Sequence, residues 1–183
     1  ETIMLREFGP IKRRKYSEPK VISAEKDKKS DKNRRPTQNR MLIVDGYNVI
    51  HSRESLSDIA KFSLEKARET LMDILSSYVA YTKTELVLVF DAYLVKDGQG
   101  SDFLKDGYRV VFTKQDQTAD TFIEKMMHEL GPDYNIRVVT SDRLLQFSAV
   151  HSGILRMTAK EFEAEVTSVG NEITEFVNKL AEN

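Results

Sequence analysis

The sequence predicts an α/β fold built on a central, mostly parallel sheet with helices on both faces. Two observations carry this. From Met41 onward, short apolar runs alternate with stretches of helical periodicity, the pattern of strand–helix–strand units that cover a parallel sheet on both sides. Three of those runs end in an aspartate, at Asp45, Asp91 and Asp142. A chain of 183 residues with 40% hydrophobic side chains supplies one ordinary core.

The first strand is "MLIV", too short for a helix and closed by Asp45-Gly46. Glycine there allows a tight turn or a close backbone approach. Residues from about 57 to 81 carry Leu64, Ala67, Leu71, Ile74, Leu75 and Tyr78 at helical spacing, which predicts one amphipathic helix. "ELVLVFDA" is a second strand, ending at Asp91, and a loop with Gly98, Gly100 and Gly107 leads into a third, "YRVVFT". Thr118 then caps a helix with an apolar stripe of Phe122, Ile123, Met126, Met127 and Leu130, closed by Gly131-Pro132. "IRVVTSD" is a fourth strand, a short helix follows from about Arg143 to Val150, and "ILRM" is a fifth strand. Thr158-x-x-Glu161 is a capping-box signature for the last helix. Phe162, Val166, Val169, Ile173, Phe176 and Leu180 form its apolar face, with Gly170 as a candidate kink.

Residues 1–40 differ in kind. They hold 13 Lys/Arg against 6 Asp/Glu, leaving 15 of the 28 basic and 23 of the 29 acidic residues to 41–183. The tail is therefore net +7 and the domain net −8. Three of the four prolines lie in the tail beside "KRRK" and "EKDKKSDKNRR", a composition expected of a largely disordered tail or interdomain linker. A start at Glu1 leads us to expect a processed product or one piece of a longer protein. Cysteine is absent, which excludes disulfides, thiolate metal sites and cysteine nucleophiles. No apolar run is long enough to span a bilayer and no signal-like segment opens the chain, so a cytoplasmic protein is expected.

Ligands of open α/β sheets bind outside the carboxyl ends of the strands. Asp45, Asp91 and Asp142 fall at such ends, and Asp120 lies in the first turn of the helix after the third strand. Four carboxylates on one edge disfavour one another's ionisation unless a cation neutralises them. Mg²⁺ or Mn²⁺ suits an oxygen-only set with open positions, and the chemistry implied is hydrolysis of a phosphodiester. Each acid also has a structural reading: Asp45 and Asp91 as turn formers or helix caps, Asp120 as a helix-dipole partner, Asp142 as a cap. Their repetition at one edge is what favours the functional reading. Around them, Asn48 could orient Asp45 or touch a phosphate, and Thr118, Thr140 and Ser141 are hydroxyls able to hold water. Lys114 and Arg143 would be the nearest cations to an RNA phosphate, or are simply solvated surface charge. Tyr47 and Tyr93 could stack on bases or pack at the rim. The histidines lack metal-ligand spacing.

"LIVDGYNVI", "VLVFDA", "VVFTKQDQTAD", "VVTSDRLLQ" and "GILRMTAKEFEAEV", in that order, resemble the YacP-like branch of the NYN domains, within the PIN-like superfamily of metal-dependent ribonucleases. The resemblance covers about residues 41 to 170. It implies a PIN-like three-layer sandwich over 41–183, with Asp45, Asp120 and Asp142 as metal ligands and Asp91 as a fourth acidic member of the catalytic set. It places Asn48 as a site neighbour. It further implies an endoribonuclease acting on mRNA in association with the ribosome. Many relatives carry histidine where this chain has Tyr93. "MLREFGPIKRRKYSEP" resembles the end of a translational GTPase, which implies fusion to such a factor. Two other readings compete: a catalytically inactive RNA- or ribosome-binding module, and a small-molecule phosphohydrolase. The last expects an Asp-x-Asp pair, whereas Gly46-Tyr47 follows Asp45.

Overall fold

The computed structural model describes residues 39–91 and 100–181; the tail up to residue 38, Tyr93 and Gly98 lie outside them. The first apolar run forms β1 (Asn39–Asp45), and its residues alternate between two cores. Leu42 and Val44 face one side of the sheet, Met41 and Ile43 the other, the period of two that a strand imposes. Six strands result: β1, β2 (Glu85–Phe90), β3 (Ser101–Lys105), β4 (Tyr108–Phe112), β5 (Tyr134–Val139) and β6 (Leu155–Met157). Their spatial order is β3-β4-β2-β1-β5-β6. All neighbours are parallel except β3 and β4.

Six helices cover the sheet: α1 (Gly46–Ser52), α2 (Glu54–Phe62), α3 (Leu64–Thr82), α4 (Ala119–Leu130), α5 (Arg143–His151) and α6 (Ala159–Ala181). Helices α1, α2, α3 and α6 bury Ile50, Leu56, Leu71, Leu75, Tyr78 and Phe162 against one face. Helices α4 and α5 bury Ile123, Met126, Met127, Leu145 and Ala149 against the other. The predicted three layers are present.

The structure departs from the sequence reading in four places. Gly46–Ser52, to which the sequence reading assigns no element, is a helix starting directly on Asp45, its N-cap. The single helix expected over 57–81 is two, because Ser63 adopts an extended backbone (φ −154°) and its hydroxyl caps α3 by accepting from Lys66 N at 3.2 Å. The glycine-containing loop before β4 holds a strand, β3, joined to β4 by Asp106-Gly107. Both residues have positive φ, 48° and 90°, as a two-residue hairpin turn requires. Finally, α6 runs unbroken through Gly170, but only the first part of its apolar stripe is covered: Phe162 and Val166 are buried, whereas Phe176 and Leu180 are 59% and 63% exposed. The stripe continues beyond the reach of α3, so periodicity and burial part company there.

The start of α6 is set by its predicted box: Thr158 N donates to Glu161 Oε2 at 2.7 Å and Glu161 N to Thr158 Oγ1 at 3.2 Å. One turn on, Glu165 takes both guanidinium nitrogens of Arg137 on β5, at 3.0 and 3.1 Å, and the hydroxyl of Tyr78 on α3. Burial first, then Glu165, pushes the Tyr78 phenol up to about 12, so it remains a donor. The half-buried cluster ties three elements together. Arg137→Ala is expected to cost roughly 1–3 kcal/mol by leaving Glu165 short of its strongest partner, read as a lower thermal midpoint; an unchanged midpoint would show that the fork adds nothing to the docking of α6.

Candidate active site

From β1 the chain builds outward through β2 and β4, then returns through α4 to add β5 and β6 on the other side. The crevice of such a sheet opens beside the strand where the order reverses. Asp45 ends β1 there, Asp142 follows β5, Asp91 follows β2, and Asp120 sits in the first turn of α4. All four are on the carboxyl edge.

Asp45 is 8% exposed. Its Oδ1 accepts from Asn48 N at 3.1 Å and its Oδ2 from the Thr140 hydroxyl at 3.4 Å. Burial pushes its carboxyl from 3.8 up to about 6 despite those donors, and the charges of Asp120 and Asp142 add to the rise. Asp120 is raised as well, by partial withdrawal from water, then by Asp142, Glu124 and Asp91. Asp45 and Asp120 thus feel the charge of their acidic neighbours, Asp142 and Asp91 among them. None of Asp45, Asp120 and Asp142 has an ion-pair partner among the described residues. As placed, no three His, Asp or Glu side chains among the described residues stand close enough to enclose an ion.

Backbone contacts hold the acids in place. Asp142 caps α5, with Oδ1 accepting from Leu144 N at 2.8 Å and Leu145 N at 3.0 Å. Asp91 Oδ2 accepts from Ala119 N at 3.2 Å, anchoring the start of α4 to the end of β2. The cap roles of Asp45 and Asp142 are therefore real, and Asp91 has a structural contact of its own. Asn48 bridges two strand ends: its Oδ1 accepts from Ser141 N at 2.9 Å while its own N–H reaches Asp45. Thr140 does the same from the other side, its hydroxyl accepting from Asp142 N at 3.0 Å. Gln146 Nε2 donates to Thr140 O at 2.7 Å, a support one helix turn into α5 that no sequence pattern announces.

The remaining candidates separate. Ser141 Oγ accepts from Ala159 N at 3.4 Å, and Thr118 is the N-cap of α4, accepting from Thr121 N at 3.2 Å, so both hydroxyls serve the backbone. Lys114 and Arg143 are exposed on the rim. Tyr47 is buried, packs on Phe90 with ring centroids 5.1 Å apart, and accepts from Arg68 Nη1 at 3.0 Å; of its two readings, packing is the one the structure bears out. His51, His128 and His151 are all exposed and away from the acids' strand ends.

The model of the YacP-like NYN domain matches residues 42–183. This chain belongs to the YacP-like NYN domain family. Its relatives include the uncharacterized protein YacP of Bacillus subtilis (strain 168), 37% identical over 143 residues that cover 76% of this chain and 82% of YacP. Among solved structures, the crystal structure of Rae1 (YacP) from Bacillus subtilis is 36% identical, with a TM-score of 0.68 over 78% of this chain and 82% of that one. A point mutant of Rae1 gives 33% identity and a TM-score of 0.69 over 79% and 85%. NYN domains belong to the PIN-like nuclease superfamily, whose members typically use divalent metals. The mixed, mostly parallel six-stranded sheet of this NYN domain is the fold of Rae1. No helix among the described residues is long and apolar enough to cross a membrane.

Proposed function

We propose that this NYN domain is an endoribonuclease that hydrolyses RNA phosphodiester bonds with Mg²⁺ or Mn²⁺, acting on mRNA at the ribosome. The observation that carries the reading is the gathering of Asp45, Asp91, Asp120 and Asp142 at one sheet edge, where neighbouring charges help to raise the carboxyls of Asp45 and Asp120. The donor set is oxygen only, which fits a hard divalent cation. Asp45, Asp120 and Asp142 would hold it, and when bound it supplies charge neutralisation and Lewis acidity at a phosphodiester. Asp91, tied to Ala119, orients the attacking water. Asn48 and Thr140 keep Asp45 and Asp142 in register. Lys114 and Arg143 meet RNA phosphates at the rim, while Thr118 and Ser141 act through the backbone they cap. A domain of net charge −8 is a poor ligand for polyphosphate on its own, which favours delivery by the basic tail or by the ribosome.

A second reading is favoured by the open arrangement of the acids: a ribosome- or RNA-binding module without catalysis. Incubating the protein with RNA and Mn²⁺ or Mg²⁺, with and without EDTA, separates the two. Cleavage that stops in EDTA and returns with the metal is the expected result. RNA that stays intact under every metal condition, while still bound, would establish the binding module instead.

A further inference from the structure

Beside the acidic edge lies a cavity of about 290 Å³ of which the nuclease reading uses only Lys114, at the rim. Its walls are Ser101 and Asp102 of β3, Phe112 at the end of β4, Lys114 and Gln117 of the following loop, and Phe122 of α4. We propose that it receives one nucleobase of the RNA next to the scissile phosphate, that Phe122 stacks on that base, and that Gln117 sets the base preference of cleavage. The inference rests on the endoribonuclease reading above and adds specificity to it.

Position comes first. Thr113 N donates to Phe90 O at 2.9 Å, so the end of β4 lies level with the end of β2, where Asp91 begins. Asp91 in turn grips Ala119 N. Gln117 and Phe122 flank that anchor, one before and one after it, so a base in the cavity sits beside the carboxylates rather than across the protein from them. Size and chemistry follow. Small-molecule pockets start near roughly 300 Å³ and combine apolar walls with a few polar groups, so this cavity admits a single base and not a longer segment. Phe122 provides aromatic surface, on which any base can stack, whereas the Phe112 ring packs on Phe90 and Phe103 and lends the cavity only its backbone side. Gln117 carries an amide that both donates and accepts, the pairing able to distinguish base edges.

The lining is held in place. Gln117 N donates to Lys114 O at 2.9 Å, closing a turn across the mouth. Asp102, the one acid among the lining residues, is forked by Arg109 at 2.9 and 2.6 Å and its carboxyl is lowered by that bond, so its charge is answered within the sheet. Lys114 is exposed at the rim with no ion pair among the described residues, placed for the phosphate joined to the bound base. The backbone seals the floor. Gly100, at φ +74°, would put a Cβ 3.0 Å from Lys114 Cγ and 3.2 Å from Phe112 O, so any larger residue narrows the cavity.

The test uses four RNA oligonucleotides that differ only in the base beside the cleaved bond, and the four nucleoside 5′-monophosphates as binding probes. The wild-type protein is expected to prefer one base. Gln117→Ala should flatten the ratio between best and worst substrate about tenfold. Phe122→Ala should weaken cleavage of all four. In NMR titrations the Gln117 side-chain amide should shift with the preferred monophosphate and not with the others. Equal cleavage at all four bases, unaltered in Gln117→Ala, overturns the pocket and leaves the nuclease reading standing. Absence of cleavage with a base-selective shift at Gln117 does the reverse. Neither cleavage nor a shift removes both.

Discussion

Asp45→Asn should abolish RNA cleavage and at the same time make the protein more stable at neutral pH. The substitution removes the most buried carboxylate of the edge, and loss of one preorganised charge at a reacting centre costs about a hundredfold or more in rate. Stability moves the other way. In the folded protein the carboxyl titrates at about 6 against its ordinary 3.8. Below the lower value it is protonated whether folded or not and contributes nothing. Between the two, the unfolded chain gives up the proton first, so stability falls as pH rises, and above 6 the whole penalty of about 3 kcal/mol is present. Asparagine has no charge to bury, still accepts from Asn48 N, and caps a helix as well as aspartate. Thermal unfolding in EDTA at pH 7.5 should therefore show a midpoint roughly 6–12 °C above wild type, with the difference vanishing near pH 4. Added Mn²⁺ should raise the wild-type midpoint and leave Asp45→Asn where it is. A variant that cleaves normally would remove Asp45 from the catalytic set; one that unfolds earlier at pH 7.5 would show that its hydrogen bonds outweigh its burial.

Gly46→Ala is the second large effect, and its cause is steric. A Cβ at Gly46 would lie 2.3, 2.5 and 2.9 Å from ring atoms of Phe90. That ring is fully buried between Tyr47 and Phe112, with centroids 5.1 Å from each, so it has nowhere to go. Overpacking of this kind costs roughly 1–3 kcal/mol, and here it displaces the first residue of α1, between Asp45 and Asn48. Denaturant unfolding should show the loss, and cleavage should fall with it. Because one ring causes the clash, Phe90→Leu in the same chain should recover part of the stability, giving a coupling of at least about 0.5 kcal/mol. Strictly additive losses would mean that something other than the ring requires glycine.

Strand-end aspartates were legible because chemistry and topology speak together in them: an apolar run that stops at a carboxylate marks the carboxyl edge of a sheet, and three such runs mark it three times. The capping box at Thr158 and Glu161 and the stripe of α4 were equally legible, since both depend on residues a few positions apart. What failed was also physical. Asp106-Gly107 is a two-residue hairpin signal, overlooked because β3 is exposed on most of its length and lacks the apolar alternation that announces a strand. The two-helix break at Ser63 hides inside continuous periodicity, since a cap changes one residue's backbone without changing the spacing of its neighbours.

The amino-acid order by itself determined the fold class, the oxygen-only chemistry of the edge and the identity of its four acids, because each depends on local composition and strand-end position. Only the tertiary structure decided what those acids do to one another. Burial of Asp45 under β1 and β5, the bridge from Asn48 to Ser141, and the Phe90 ring that forbids a side chain at 46 all join residues far apart in sequence. Desolvation and contact act through space, so neither can be read from spacing along the chain.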